Sequence, residues 1–130
     1  MRHNLLSIQL IFFLFFFIIP GCQNATYPLD GIELDAWRED DFGCKNYRLA
    51  TLDTLKNQKN KLLRFSEHEI IQTLGFADKA ELIQKSEKYY FYYFSGHPEC
   101  STQNLNKTTY LRIRFNSMGF CKETLILNDL

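Results

Sequence analysis

One short stretch of the chain brings together side chains that could do chemistry, because His97, Glu99 and Cys100 lie within four positions. A histidine beside a thiol can activate it as a nucleophile, and the same pair could bind a metal ion with a further ligand. Activation requires a hydrogen bond between the two side chains, whereas neighbouring side chains of an extended loop point apart. A secreted enzyme or metal-binding protein that uses His97 and Cys100 is therefore kept as the alternative interpretation. The leading interpretation assigns the chain no catalytic residue, no metal and no cofactor.

The residues before Cys22 have the pattern of an export signal. A polar start with one arginine leads into an apolar run over residues 5–19. A helix of this length spans about 22 Å, less than the roughly 30 Å of a hydrocarbon core, which indicates a signal peptide rather than a permanent span. The run ends in Ile19-Pro20-Gly21-Cys22, which resembles the lipobox of bacterial lipoproteins. Pro20 departs from that pattern, since a smaller residue is usual there.

The resemblance to a lipobox implies that residues 1–21 are removed and that Cys22 carries lipid. The lipid bilayer is then one partner of the protein. Gln23 lacks the inner-membrane retention character of an aspartate at that position, which favours a lipid-anchored protein of the outer membrane that faces the periplasm. The alternative is an ordinary secretory signal with a chance cysteine.

Removing 21 of 130 residues leaves 109, enough for one small domain. The remaining chain has 14 basic and 15 acidic residues. This balance gives no net positive electrostatic potential that would attract nucleic acid. Acidic residues, Pro28 and two glycines without sustained periodicity predict a flexible acidic tether over residues 22–43, with a short turn of helix at 34–38 that seats Trp37. An α+β domain is predicted over residues 44–130.

Once Cys22 is lipidated, Cys44, Cys100 and Cys121 remain in a compartment where disulfides persist. Three thiols allow one bridge in three ways, and their spacing does not choose among them. We predict a Cys44–Cys100 disulfide, because both residues lie in irregular segments whose loss of chain entropy a bridge would offset. Cys121 is then free and buried. A Cys100–Cys121 bridge is the main rival.

Two helices are predicted before the strands. Leucines from Leu49 to Leu63 recur at roughly helical spacing, although Lys59 interrupts the stripe and favours an early end. The second helix runs from Glu67 to Leu74, since Ser66 and Glu69 form a capping box and Gly75 suits the position after the last turn. We expect Phe65 to contact Ile70 at the start of this helix. We expect Phe76 to contact Ile71 at its end.

The second half of the domain predicts an antiparallel meander of three or four strands. A short strand at 81–84 and a turn precede the aromatic run at 89–94, and an alternating strand follows at 111–115. A three-residue loop, Ser117-Met118-Gly119, closes the last hairpin. That register pairs Phe115 with Cys121 and Leu111 with Leu125 on the inner face. The predicted fold is therefore α+β, with two helices packed on one face of a three- or four-stranded antiparallel meander sheet.

The lipobox, the helix Ser66-Glu67-His68-Glu69-Ile70-Ile71-Gln72-Thr73-Leu74-Gly75 and the strand Leu111-Arg112-Ile113-Arg114-Phe115-Asn116 together resemble the SmpA/OmlA family. Members are small outer-membrane lipoproteins with a helix–helix–three-strand fold similar to the β-lactamase inhibitor protein. The resemblance covers roughly residues 60–127, and Ala77 stands where the family has proline. It implies a non-enzymatic envelope protein that supports assembly or inhibits a partner.

The aromatic run suggests how such a partner would bind. Its six residues divide between the two faces of a strand, and one set of three remains exposed if helices cover the other. Exposed tyrosines are frequent contact residues in protein interfaces. An envelope protein is therefore the expected partner, and the possible docking face consists of Tyr89, Tyr90, Phe91, Tyr92, Tyr93 and Phe94.

Overall fold

The structure is a computed structural model that describes residues 29–101 and 107–129. The helices come first: α1 (Leu34–Arg38), α2 (Tyr47–Ala50), α3 (Leu52–Gln58) and α4 (Glu67–Leu74), with three-ten turns at Asp41–Gly43 and Lys59–Leu62. The strands follow: β1 (Lys79–Leu82), β2 (Lys88–Ser95), β3 (Thr108–Phe115) and β4 (Cys121–Asp129), with a three-ten turn at Gln84–Ser86. The predicted α+β class is confirmed.

The four strands form one antiparallel sheet in the order β1-β2-β3-β4, so each strand pairs with its neighbours along the chain. One face of this sheet, called the inner face, carries the buried side chains Tyr92, Phe94, Leu111, Ile113, Phe115 and Cys121. They form a single core with Trp37, Leu55, Leu62, Ile70 and Leu74 from the helical half. The core therefore lies between the helical segments and the inner face.

The first of the two predicted helices is broken into short pieces. Thr51 lies between α2 and α3, and its Oγ1 donates a hydrogen bond to the carbonyl of Tyr47 at 3.1 Å. Such local bonds from threonine compete with regular helix geometry. Leu49 and Leu63, at the two ends of the leucine stripe, are 40% and 36% exposed and lie outside the core. The helical half therefore consists of several short helices rather than two.

Residues 29–43 are folded, whereas the sequence predicted a flexible tether up to residue 43. Leu29, Ile32 and Trp37 belong to the core, and the predicted short helix that seats Trp37 is confirmed. Asp40 is also fully buried, and its carboxylate accepts two backbone N–H hydrogen bonds at 2.6 and 2.7 Å. The predicted domain boundary at residue 44 is therefore too late, because the acidic residues of this segment surround side chains that pack inside.

Helix α4 has the predicted bounds and the predicted capping box. Ser66 Oγ accepts the N–H of Glu69 at 3.3 Å, and Glu69 Oε2 accepts the N–H of Ser66 at 2.7 Å. Gly75 ends the helix with φ +82°, a conformation that a side chain would resist. Phe76 is 82% exposed, so the predicted contact of Phe76 with the helix is wrong.

The hairpin between β3 and β4 has the predicted three-residue loop. Asn116 and Phe120 flank it and share a backbone hydrogen bond of 3.0 Å, while Gly119 has φ +80°. Phe115 lies opposite Cys121, as predicted.

The register of β4 changes immediately after Cys121. A bulge places Glu123 opposite Arg114, so Leu111 pairs with Ile126 and not with Leu125. The predicted Leu111–Leu125 pair is therefore wrong, because one extra residue moves every later side chain of β4 to the other face.

Cys22, the predicted signal peptide and the first part of the predicted tether lie outside the described residues. Among the residues that are described, no helix is long and apolar enough to cross a membrane.

Candidate functional site

The aromatic run of β2 is divided between the two faces of the sheet. Tyr92 and Phe94 are fully buried, and the Tyr92 hydroxyl donates to the carbonyl of Gly75 at 2.9 Å. Tyr90 packs against the core, and its hydroxyl donates to Glu67 Oε2 at 2.9 Å. Of the six candidate residues, these three point towards the helices and do not belong to a docking face.

The other three aromatic residues lie on the opposite side of the sheet, which we call the outer face. Tyr89, Phe91 and Tyr93 are half-buried there, and Tyr110 of β3 lies directly opposite Tyr93. The ring centroids are 6.1 Å apart for Tyr89 and Phe91, 5.7 Å for Phe91 and Tyr110, and 5.8 Å for Tyr110 and Tyr93. The rings are inclined at 55–70° to one another, which is a favourable aromatic geometry. They therefore form one continuous layer.

Two leucines extend this aromatic layer to the last strand. The bulge in β4 turns Leu125 and Leu127 to the outer face, opposite Arg112 and Tyr110 respectively. Both leucines are half-buried. The layer therefore crosses β2, β3 and β4 without interruption.

Six charged side chains of the outer face form three ion pairs. Lys79 and Glu81 are 2.6 Å apart, Arg114 and Glu87 2.6 Å, and Arg112 and Glu123 3.4 Å. The hydrogen bonds that Lys79 donates to Glu81 and Arg114 donates to Glu87 raise the pKa values of Lys79 and Arg114. The face thus combines an aromatic layer with a neutral set of ion pairs.

Arg112 lies at the centre of the outer face. Its guanidinium carbon is 4.7 Å from the centroid of the Tyr89 ring, a cation–π distance. Its Nε is buried and has no hydrogen-bond partner within the described part of the chain. The 3.4 Å contact with Glu123 is long for a charge-assisted hydrogen bond. Arg112 is therefore held in place mainly by the Tyr89 ring and by its ion pair with Glu123.

Two tyrosines of the outer face, Tyr93 and Tyr110, have raised pKa values and keep their protons at physiological pH. Burial raises the pKa of Tyr93 and that of Tyr110, where a hydrogen bond to Asp129 acts in the same direction. Burial also raises the pKa of Tyr90, on the inner face, to about 12. The phenols therefore offer hydroxyl donors rather than negative charge.

The predicted cluster at His97 and Cys100 is arranged around a disulfide. Cys100 is bonded to Cys44 with an S–S distance of 2.00 Å, which confirms the predicted pairing. The ring of His97 stacks on Phe42 at 4.4 Å and lies 4.4 Å from Tyr93. His97 Nδ1 accepts the N–H of Glu99 at 3.2 Å. The structure thus brings His97 to the end of the aromatic layer and not to a free thiol.

Within residues 29–101 and 107–129, no three His, Cys, Asp or Glu side chains lie close enough together to hold a metal ion.

Cys121, the third cysteine of the described residues, is free and buried, as predicted. Burial raises the pKa of its thiol to about 11, so the reactive thiolate is scarce at neutral pH.

Four residues on or beside the outer face were not predicted from the sequence: Phe42, Tyr110, Leu125 and Leu127. The alternation of β3 already separates Tyr110 from Leu111, so its face could have been found from the sequence. The two leucines could not, because their side of the sheet depends on the bulge. Phe42 is brought close to Tyr93 and His97 only by the fold of residues 40–48.

No protein-family model matches the chain, and neither a curated protein nor a solved structure matches it.

Proposed function

We propose that this protein is a bacterial lipoprotein, anchored by acylated Cys22, that binds an envelope protein through the outer face of its sheet. In this proposal it works at the outer membrane, faces the periplasm and performs no catalysis itself. It supports assembly of its partner or inhibits it, as the resemblance to the SmpA/OmlA family implies.

The outer face is the single observation that carries the protein-binding role. Its aromatic rings are half-buried and contact one another, whereas Trp37, Ile70 and Leu74 of the helices share the core with the inner-face side chains. Tyrosine and arginine are enriched among residues that dominate binding energy at protein interfaces, and this face carries three tyrosines around Arg112. An extended apolar layer rimmed by charges is typical of a protein contact surface.

The charges of the face favour a protein partner over a polyanion. Binding of nucleic acid relies on unpaired lysines and arginines that neutralise phosphates. Here Lys79, Arg112 and Arg114 each have a carboxylate partner. A partner with mixed polar and apolar character matches this surface better than a nucleic acid.

The proposed anchor is close in sequence to the folded domain. Asp30 is already fixed, since Gln58 Oε1 accepts its N–H at 2.8 Å and Lys61 lies 2.8 Å from its carboxylate. Asp30 is eight positions after Cys22, and an extended chain over eight positions reaches at most about 29 Å. A lipid on Cys22 would therefore hold the domain near the membrane surface.

Site-specific photo-crosslinking tests the docking face. A photo-reactive amino acid is introduced at Phe91 in the tagged full-length chain, and envelopes are irradiated before solubilisation in detergent. The matched control carries the same group at Asp53, an exposed position of α3. We expect one discrete crosslinked protein from position 91 and none from position 53. The same adducts from both positions, or none from either, would contradict a docking role for the outer face.

Membrane fractionation tests the anchor separately. The wild-type chain should partition with membranes and carry acyl chains detectable by intact-mass analysis, and Cys22→Ser should abolish both. If the variant fractionates identically and the wild type carries no acyl chain, the lipoprotein proposal fails.

A further inference from the structure

We infer that the partner adds a β-strand to the free edge of β4, with basic side chains at the two ends of that strand and uncharged ones in its centre. This inference rests on the proposed protein-binding function and specifies how the partner is recognised.

The two edges of the sheet differ in length and composition. β1 has four exposed residues, and its two charged side chains alternate with apolar ones. β4 has nine residues and contains the uncharged run Thr124-Leu125-Ile126-Leu127. Natural proteins protect sheet edges with short strands and charges. β1 has this protection, whereas the centre of β4 does not.

On the edge of β4 that faces away from β3, Cys121 is the one residue that forms backbone hydrogen bonds with another described segment. The N–H of Cys121 donates to the carbonyl of Phe65 at 2.7 Å, and its own carbonyl accepts the N–H of Arg64 at 2.8 Å. The covering segment then turns away into α4. From residue 122 onwards, no other described segment forms a backbone hydrogen bond with β4 besides its neighbour β3. An unpaired row of backbone N–H and C=O groups is complementary to another extended chain.

The side chains of this edge continue the outer face. An added antiparallel strand would place successive outward side chains beside Glu123, Leu125, Leu127 and Asp129. Opposite charges across strands are favourable and like charges are not. The complementary strand therefore carries basic residues opposite Glu123 and Asp129 and apolar residues opposite the two leucines. Its apolar residues would extend the aromatic layer by one strand.

A second copy of β4 does not meet these requirements. In a symmetric antiparallel pair, facing residues lie on the same side of the sheet, so the pair is centred on one residue. Centring it on Ile126 sets Glu123 against Asp129 of the second copy. Centring it on Leu125 or Leu127 sets a carboxylate against a leucine. The edge therefore fits a different chain better than itself.

A designed peptide provides a defined probe of the edge. The fluorescent peptide Lys-Thr-Leu-Val-Leu-Thr-Lys carries basic ends and apolar outward residues, and Glu-Thr-Leu-Val-Leu-Thr-Glu is its charge-reversed control. Binding to the full-length chain in detergent is measured by anisotropy. We expect the basic peptide to bind about tenfold more tightly than the acidic one and to slow amide hydrogen exchange in β4. The variant Glu123→Lys with Asp129→Lys should reverse this preference.

Backbone pairing is tested with two N-methylated versions of the basic peptide. In each version, methyl groups block every second backbone N–H, so that one version blocks the N–H groups that face β4 and the other blocks those that face away. We expect only the version blocked on the side that faces β4 to lose binding. Because Glu123 contacts Arg112, the single variant Asp129→Lys provides a second charge test if the double variant does not fold.

Several results would overturn the inference. These are equal affinity of both charge forms, equal effects of both methylation patterns, unchanged exchange in β4, or a dimer in sedimentation that blocks the peptide. If position 91 still crosslinks a partner while the peptide fails in these ways, the docking face stands and the strand addition is wrong.

Discussion

The guanidinium of Arg48 contacts the carboxylate of Asp78 at 2.5 Å, and these side chains are only 1% and 4% exposed. Asp78 also accepts the backbone N–H groups of Phe42 at 3.1 Å and Tyr93 at 2.8 Å. Arg48 Nε donates to the carbonyl of Trp37 at 3.0 Å. This buried pair therefore joins the segment around residues 37–48 to the strand that carries the outer aromatic layer.

Removing one partner of the buried pair should strongly destabilise the domain. Arg48→Met leaves the Asp78 carboxylate buried without its cation, and such changes cost about 3–5 kcal/mol. The matched control is Asp35→Asn, which removes the exposed pair between Asp35 and Arg38 and should cost less than about 1 kcal/mol. Chemical denaturation of both variants provides the comparison. Equal losses in the free energy of unfolding would show that the buried pair matters no more for stability than the exposed pair.

The two ends of α4 should contribute separately to stability. Ser66→Ala removes the cap that binds the N–H of Glu69 and should cost about 1 kcal/mol. Gly75→Val should cost more, because φ is +82° and a Cβ atom there would lie 3.0 Å from Cγ of Arg38. His68→Ala, at an exposed position of the same helix, should change stability by less than about 0.5 kcal/mol. A Gly75→Val midpoint equal to wild type would contradict the helix end.

The features that the sequence predicted well are fixed by neighbouring residues. The ends of α4 depend on the capping box of Ser66 and Glu69 and on Gly75 after the last turn, all within ten positions. The hairpin loop likewise depends on Gly119 at a position that requires positive φ. Both features depend on residues that are close in sequence and not on the rest of the fold.

The features that the sequence did not predict depend on distant partners. Asp40 looks like part of a solvated acidic segment, but its carboxylate holds backbone groups inside the folded domain. The register of β4 depends on a bulge that leaves Lys122 exposed while Thr124 is buried. A regular ladder could not expose the one and bury the other, since residues two apart share a face.

Loss of the Cys44–Cys100 disulfide should destabilise the whole domain and release His97 from its aromatic neighbours. The bridged residues are 56 positions apart, and closing a loop of this length is worth about 4 kcal/mol in the chain-entropy model. Replacing both cysteines with serine should lower the denaturation midpoint accordingly, and wild type under reducing conditions should behave likewise. Non-reducing digestion with mass spectrometry checks the pairing. A peptide linked through Cys121 would contradict the arrangement.

The free thiol of Cys121 should make stability fall at alkaline pH. Burial raises its pKa from 9.0 to about 11, so the folded state favours the protonated thiol. This contribution is fully present below pH 9.0 and is lost as the pH rises to about 11, because the unfolded chain releases the proton first. Denaturation midpoints measured across this window should therefore fall less steeply for Cys121→Ala than for wild type.

Alkylation provides an independent measurement on the same thiol. At pH 8 the native chain should react far more slowly than the chemically unfolded chain, since only the thiolate attacks and the folded domain buries it. Because Cys44 and Cys100 are bonded to each other, modification in the absence of reductant reports on Cys121 among the three described cysteines. Equal rates for the native and unfolded chains, together with parallel pH profiles for wild type and Cys121→Ala, would show that this thiol is accessible at the hairpin rather than enclosed beneath it.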